Sequence, residues 1–343
     1  MSAAGQAPLR IGIAGLGRLG KRHAETLAFQ TRYCKLVSAC SPVADERDWA
    51  RNTLGIGSLH DDFGAFVNDP QLDAVVLATP TSLHADQTIA ALEAGKHVFV
   101  EKPLALDVLD CERVEAVARR HADRVAMVGF VRRFDPSYRN ARAHIDAGGI
   151  GRAFLVRSQT CDQLDPSGFF VQFAPSSGGI FMDCSVHDID LARWMLGRPR
   201  ATKAFASGTI AVHDDLQPLH DVDNGLGMVE FEGGARAVFY ASRTYALGHE
   251  TSTEIIGTAG KLLVGAGAAR DRVQIGDAHG VRQLAVADFH ERFGEAFQHE
   301  MQAFVDACRG QRADAATLAD ALEATRIGAA LTRSLRSGAV EMV

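Results

Sequence analysis

The stretch Arg10–Phe29, RIGIAGLGRLGKRHAETLAF, constrains this chain more than any other. A short apolar, β-branched run breaks into Gly15-x-Gly17-x-x-Gly20 and then into a helical pattern. This is how a strand feeds a helix across an anionic ligand. Gly15 allows the tight turn, Gly17 lets the backbone approach a pyrophosphate, and Gly20 lets the helix pack close to the strand. Leu16, Arg18 and Leu19 complete the loop. The helix start offers free N–H groups and a positive dipole end to the anion. With 33 glycines in the chain the spacing alone is weak, and the strand before it and the helix after it give it weight.

The rhythm around the loop agrees. Strand-like runs at Arg10–Ala14, Leu36–Ala39, Ala74–Ala78, His97–Val100 and Val125–Gly129 alternate with helical stretches at Lys21–Phe29, Ala85–Ala94 and Leu109–His121. Such βαβα order predicts an α/β fold, a doubly wound parallel sheet with helices on both faces. Gly95 falls where a helix C′ glycine belongs. Past residue 128 the pattern changes. A helix is expected over Ser137–Ala147, strands over Ala153–Gln159, Thr202–Ile210, Leu226–Phe231, Arg236–Tyr240, Thr253–Ile256 and Lys261–Val264, and a hairpin turn at Glu232-Gly233-Gly234. A helix around Ser185–Leu196 precedes most of these strands, and the tail, Glu291–Cys308 and Thr317–Arg336, reads as helical. The chain therefore divides into a dinucleotide-binding domain over 1–128 and an α+β domain over 129–343 with an open, mainly antiparallel sheet. The C-terminal helices can pack back on the first domain.

Composition bounds the partners. Hydrophobic residues at 47% and charged residues at 23% describe a globular chain with ample core. A net charge of −6 argues against a nucleic-acid surface. No apolar run approaches the roughly 18 residues of a membrane span. The start MSAAGQAPLR lacks a basic region and an apolar signal core, so a cytoplasmic location is expected. The six cysteines contain no C-x-x-C and are expected as free thiols.

Several positions border the expected cofactor. An acid commonly ends the second strand of such folds, where it accepts hydrogen bonds from the adenosine ribose and repels a 2′-phosphate. Here Thr26–Ala44 holds no Asp or Glu, and Ser41 stands in that place. Ser41 can bond a hydroxyl or a phosphate, and Arg47 can lie near, so the residues alone leave NAD and NADP open. Thr79-Pro80-Thr81 follows the third strand-like run and borders the cofactor, with capping of the next helix by Thr81 or Ser82 as the alternative. His84 either points to the cleft or decorates the first helical turn. Glu101 and Lys102 end a strand-like run, and a lysine there can orient a substrate hydroxyl and favour its deprotonation.

A second constellation is Asp183-Cys184-Ser185-Val186-His187. With a helix starting near Cys184, Asp183 and His187 lie one turn apart. The carboxylate can then fix the imidazole, which is the usual proton acceptor near neutral pH. The alternative makes Asp183 an N-cap and His187 an interior histidine. A metal set of Asp183, His187 and Asp190 also fits the spacing, but Leu191 and Trp194 mark the segment as core helix and no further ligand is compelling, so no metal is expected. His213-Asp214-Asp215 and His220-Asp221-x-Asp223 read as a solvated loop.

These residues together resemble the glucose–fructose oxidoreductase / inositol dehydrogenase family (Gfo/Idh/MocA). The likeness rests on GLGRLG, Glu101-Lys102-Pro103, GFVRRFDPSY at Gly129–Tyr138, SGGIFMDCSVHDIDLARWMLG at Ser177–Gly197 and TEIIGTAGKL at Thr253–Leu262, and so runs nearly the whole chain. The RRFDPSY and SVHDIDLARW segments are most similar to bacterial inositol 2-dehydrogenases. The resemblance implies a catalytic set of Lys102, Asp183 and His187. His187 takes the proton of a substrate hydroxyl, Lys102 polarises that oxygen, and Asp183 binds substrate and supports His187. It further implies that Arg132 reaches substrate hydroxyls, and that His249 stands where a substrate-touching tyrosine is usual. The implied reaction is NAD-dependent oxidation of myo- or scyllo-inositol to the keto-inositol, in a homo-oligomer, often a tetramer, built on the open sheet. An aldose dehydrogenase using NAD or NADP, and a non-catalytic sugar or nucleotide sensor, are the competing readings.

Overall fold

Ile11–Ala14 and Ala74–Leu77 are buried along their whole length, which is why they read as continuous apolar runs rather than alternating ones. In the computed structural model, which describes residues 7–265, 267, 269–271, 273–278, 280–311 and 314–343, they lie side by side at the centre of a six-stranded parallel sheet. The chain divides into two compact units, Met1–Val131 with Glu295–Leu322, and Arg132–Gly294 with Glu323–Val343. The boundary thus falls a few residues beyond the expected 128, and the segment from Glu295 to Leu322 belongs with the first unit.

In the first unit the elements run β1 (Leu9–Ala14), α1 (Arg18–Phe29), β2 (Cys34–Cys40), α2 (Ala44–Leu54), β3 (Ser58–His60), α3 (Phe63–Val67), β4 (Ala74–Leu77), α4 (Thr81–Glu93), β5 (His97–Glu101), α5 (Val108–Arg120) and β6 (Ala126–Gly129). The strand order is β3-β2-β1-β4-β5-β6. That order reverses direction at β1, and the crevice outside the carboxyl ends of the strands there is where this architecture binds ligands. β3, α2 and α3 are absent from the sequence reading. β3 has three residues and no β-branched run, so nothing in its composition separates it from a loop.

The second unit holds α6 (Pro136–Asp146), β7 (Ala153–Gln163), α7 (Phe169–Ser177), α8 (Ile180–Asp183), α9 (Val186–Met195), β8 (Ala201–Thr209), β9 (Asn224–Phe231), β10 (Arg236–Tyr245), β11 (Glu250–Gly257), β12 (Lys261–Val264), a small hairpin of β13 (Ile275–Asp277) and β14 (Gly280–Arg282), and β15 (Glu341–Met342). Helix α10 (Phe289–Cys308) and helix α11 (Leu318–Ser337) lie between β14 and β15 in the chain. The large sheet runs β12-β11-β7-β10-β9-β8-β15, antiparallel except for the β7–β10 pair. Glu232–Gly234 turns β9 into β10, as expected. On one face Phe205, Met228 and Val238 face each other across three neighbouring strands, and Leu226 and Leu263 join them as exposed apolar side chains.

Two buried ion pairs pin α9. Asp190 is clasped by both arms of the Arg133 guanidinium, at 2.6 and 2.8 Å. Asp188, fully buried, accepts from Arg132 at 2.9 Å and from the Ser158 and Thr160 hydroxyls at 2.6 Å each. The loop read as solvated is not so at its end. Asp221 accepts the Ile180 N–H at 3.1 Å, and Asp223, fully buried, accepts the N–H groups of Ala211, Val212 and His213. Burial opposes ionisation of Asp223, yet these N–H bonds hold its carboxyl below the usual range. All six cysteines are free thiols. Among the described residues, no helix is long and apolar enough to cross a membrane.

Candidate active site

The glycine loop has the shape of a cradle. Gly15 sits at φ +87°, and a Cβ there would come 2.5 Å from the Ala78 carbonyl oxygen. A Cβ on Gly20 would overlap the Gly15 carbonyl oxygen, so the third glycine lets α1 close against the loop. Around Gly17 a Cβ would meet nothing within 4 Å. The outer glycines are therefore fixed by packing and the middle one faces open space. α1 has no side-chain cap and no acid in its first turn, which leaves its N–H groups and positive dipole end to a ligand. Gly17 and Arg18 are exposed, Leu19 is half-buried, and the Leu16 side chain is fully buried, so Leu16 offers the loop only its backbone.

At the neighbouring strand end, Thr79 is half-buried and its hydroxyl donates to Gln87 at 2.6 Å. Pro80, not Thr81 or Ser82, is the N-cap of α4, and no side chain caps that helix. His84 does not point outward. Its ring is 1% exposed, with Nδ1 2.8 Å from the Pro103 carbonyl and Nε2 2.8 Å from the Thr79 carbonyl. Burial pushes its pKa down, against the two carbonyls that favour the charged form. The ring is thus a strut joining the turn after β4 to the turn after β5.

Glu101 is also internal. Its Oε1 lies 2.6 Å from Nε2 of the buried His23, and its Oε2 accepts the Lys102 backbone N–H at 3.1 Å. At 6% exposure the Glu101 carboxylate needs partners of its own, and His23 and the Lys102 N–H supply them. Lys102 itself is half-buried and the Lys102–Pro103 peptide is cis. Glu300 on α10 is fully buried near Glu101, with neither carboxyl oxygen hydrogen-bonded within the described residues. Burial, then the Glu101 charge, raises its pKa well above the ordinary value. Native protein therefore keeps a proton on Glu300 that the unfolded chain releases, and stability falls as pH rises above about 4.5. Glu300→Gln is expected to match the parent near pH 4 and to exceed it by a margin that grows towards pH 8, read from urea unfolding midpoints. A margin independent of pH would contradict the buried proton.

In the second unit, every residue from Ile180 to Met195 is buried except Asp183 and His187. Asp183 ends α8 and His187 lies in the first turn of α9, whose N-cap is Ser185. Asp183 is therefore not the cap. It pairs with the Arg243 guanidinium, which also donates to Asp162 at 2.6 Å. Asp162 accepts in turn from Nδ1 of His249 at 2.9 Å. Burial opposes ionisation of Asp162, but the Arg243 charge and the His249 hydrogen bond hold its carboxyl well below the ordinary range. His249 is 3% exposed, packed near the rings of Phe289 and Phe293.

Asp162 and Arg243 were missed in the sequence because neither lies in a motif. The parallel pairing of Ser242 with Cys161 makes them neighbours. Arg132, expected to reach substrate hydroxyls, is engaged inside the unit. Its side chain is 4% exposed and its two terminal nitrogens donate to Asp188 and to the Thr160 hydroxyl at 2.7 Å. The buried Asp188 carboxylate demands a cation, and Arg132 supplies it. Asp190 is likewise held by Arg133, and among the described residues no group of three or more His, Cys, Asp or Glu is arranged to hold a metal ion.

Comparison with known proteins agrees with both halves. Residues 9–130 match the oxidoreductase family with an NAD-binding Rossmann fold, and residues 138–263 match the GFO/IDH/MocA C-terminal domain. The chain is 38% identical to the scyllo-inositol 2-dehydrogenase (NAD(+)) of Bacillus subtilis over 96% of its length and 95% of that protein's. It is 30% identical to a myo-inositol 2-dehydrogenase of Thermotoga maritima, covering 95% and 96% of the two chains. The crystal structure of scyllo-inositol dehydrogenase from Lactobacillus casei, with bound NAD(H) and scyllo-inositol, superposes with a TM-score of 0.93 at 37% identity, covering 98% and 99% of the two chains. The loop, the strand order and the break in the helical segment at Asp183 and His187 thus sit in a chain that belongs to the GFO/IDH/MocA oxidoreductase family.

Proposed function

We propose that the protein is an inositol 2-dehydrogenase, which oxidises scyllo- or myo-inositol to the keto-inositol with NAD. The observation that carries this is the opening of an otherwise buried helical segment at Asp183 and His187 alone. A polar pair left at a break in a core element is positioned for chemistry rather than packing. NAD, when bound, accepts the hydride from the ring carbon. The open space at Gly17 and the uncapped start of α1 fit its pyrophosphate, and Ser41 and the Thr79-Pro80-Thr81 turn border the rest of it.

In this reading the chain's own residues handle the proton. His187 accepts the proton of the reacting hydroxyl, and Lys102 donates to that oxygen and stabilises the developing alkoxide. Asp183 accepts from a neighbouring hydroxyl and is held in place by Arg243. Asp162, held by His249, in turn positions the Arg243 guanidinium that holds Asp183. The exposed apolar face of the large sheet is covered by further copies of the chain, giving a tetramer in the cytoplasm.

Absorbance of reduced nicotinamide tests the reading. Purified protein is mixed with NAD or NADP against scyllo-inositol, myo-inositol, D-glucose and other aldoses. Strong NAD reduction with an inositol is expected, and light scattering on the same sample is expected to give a mass of four chains. A response to aldoses alone would move the substrate to the sugars and leave the chemistry in place. No turnover with any of them, with NADH still bound, would make the protein a sensor.

A further inference from the structure

The end of β2 carries no acid of its own, yet a carboxylate stands there. Ser41, the residue after the strand, is 1% exposed. Its hydroxyl donates to Glu46 Oε2 at 2.5 Å and accepts the Val43 N–H at 3.1 Å. With its only proton committed, the hydroxyl has just a lone pair left to offer. That suits a donor, such as a ribose hydroxyl, and opposes a phosphate oxygen. Glu46 is half-buried in the first turn of α2. Arg47, beside it, donates to the Ser41 carbonyl at 2.6 Å. A serine hydroxyl with an adjacent guanidinium would by itself make a phosphate site. Glu46 cancels it by accepting the hydroxyl's hydrogen bond and placing a negative charge at the same point.

We propose that Glu46 selects NAD over NADP, doing from helix α2 what an acid at the strand end does in other dinucleotide folds. The inference rests on the cofactor reading of the glycine loop, where the adenosine ribose lies against the end of the second strand. Other acids near this strand end are placed differently. Asp62 caps α3 through the Ala65 N–H, and Asp61 is exposed on the loop after β3. Selection by Glu46 works mainly against the wrong ligand, by repulsion of the 2′-phosphate. Neutralising it removes that repulsion, lets the amide NH2 of a glutamine donate to the Ser41 oxygen so that the hydroxyl can turn outward, and leaves Arg47 available to the phosphate.

The test is binding, with no substrate present. NADH and NADPH are titrated by fluorescence into the full-length protein and into Glu46→Gln, Glu46→Gln/Arg47→Ala and Asp61→Asn. The parent is expected to favour NADH, and Glu46→Gln to shrink that preference by about tenfold or more, chiefly through tighter NADPH. Adding Arg47→Ala is expected to restore most of the gap, and Asp61→Asn to leave it within about twofold of the parent. Tight NADH binding with an unchanged preference in Glu46→Gln would overturn the assignment to Glu46. A shift as large in Asp61→Asn would overturn it too, because the selection would then be a diffuse field. Binding of neither dinucleotide by the parent would overturn the cofactor reading itself.

Discussion

Lys102→Met is expected to lower turnover by about a thousandfold or more, the range for removing a group that acts on the reacting proton and on developing charge. Methionine keeps the length and apolar stem of the side chain and removes the ammonium. The backbone at this position is held independently of that ammonium. Glu101 accepts the Lys102 N–H, His23 holds Glu101, and the carbonyl of the next residue, Pro103, meets His84. The variant should therefore fold and bind NADH within about threefold of the parent, so that the loss appears in kcat rather than in cofactor affinity. Steady-state rates with NAD and an inositol, beside NADH titration, separate the two. Turnover near that of the parent would remove Lys102 from the chemistry. A loss of NADH binding as large as the loss of rate would make it a cofactor-holding residue instead.

The anchoring of Lys102 also marks what a sequence can and cannot disclose. Gly15, Gly17 and Gly20 are readable because the constraints on them are local: a turn, an open approach, a helix closing on its own loop. Asp183 and His187 stand out in the sequence by a spacing of four residues, but the expected single helical turn is split between the end of α8 and the start of α9. Their supporting partners do not stand out. His23 reaches Glu101 across 78 residues, Arg132 reaches Asp188 across 56, and Arg243 meets Asp162 only because two distant strands pair in parallel. No local pattern encodes such register. Glu46 is hidden for a subtler reason. By sequence position Asp45 is the acid nearest the strand end, whereas Glu46, one residue further on in the first turn of α2, folds back onto Ser41. Asp221 and Asp223 were read as solvated because runs of charge usually are. Here Asp221 accepts from the backbone at the start of α8, and the buried Asp223 accepts three backbone N–H groups of the turn Ala211–His213. Helix α7 was missed between glycines and with Pro175 inside it, which erases the helical signal.

Asp188→Ala is expected to destabilise the protein by about 3–5 kcal/mol, the cost of removing one partner from a buried ion pair. The reasoning turns on what would be left behind. Asp188 is fully buried and accepts from Arg132, Ser158 and Thr160. Alanine would strand the Arg132 guanidinium, itself 4% exposed, with no carboxylate, and would take from the Thr160 hydroxyl the acceptor it donates to. Attraction within the pair is not the main term, because taking both charges out of water costs nearly as much as the pairing returns. The double variant Arg132→Met/Asp188→Leu should therefore unfold later than Asp188→Ala alone, although it lacks both charges. Urea unfolding of the three proteins gives the comparison. A cost below about 1 kcal/mol for Asp188→Ala would mean that Arg132 finds water or another partner, and the rigid buried pair would have to be abandoned. Turnover of the double variant adds a separate decision. If it is folded and retains activity, Arg132 serves only to balance Asp188. If it is folded and inactive, the guanidinium also acts on substrate, as the family resemblance implies.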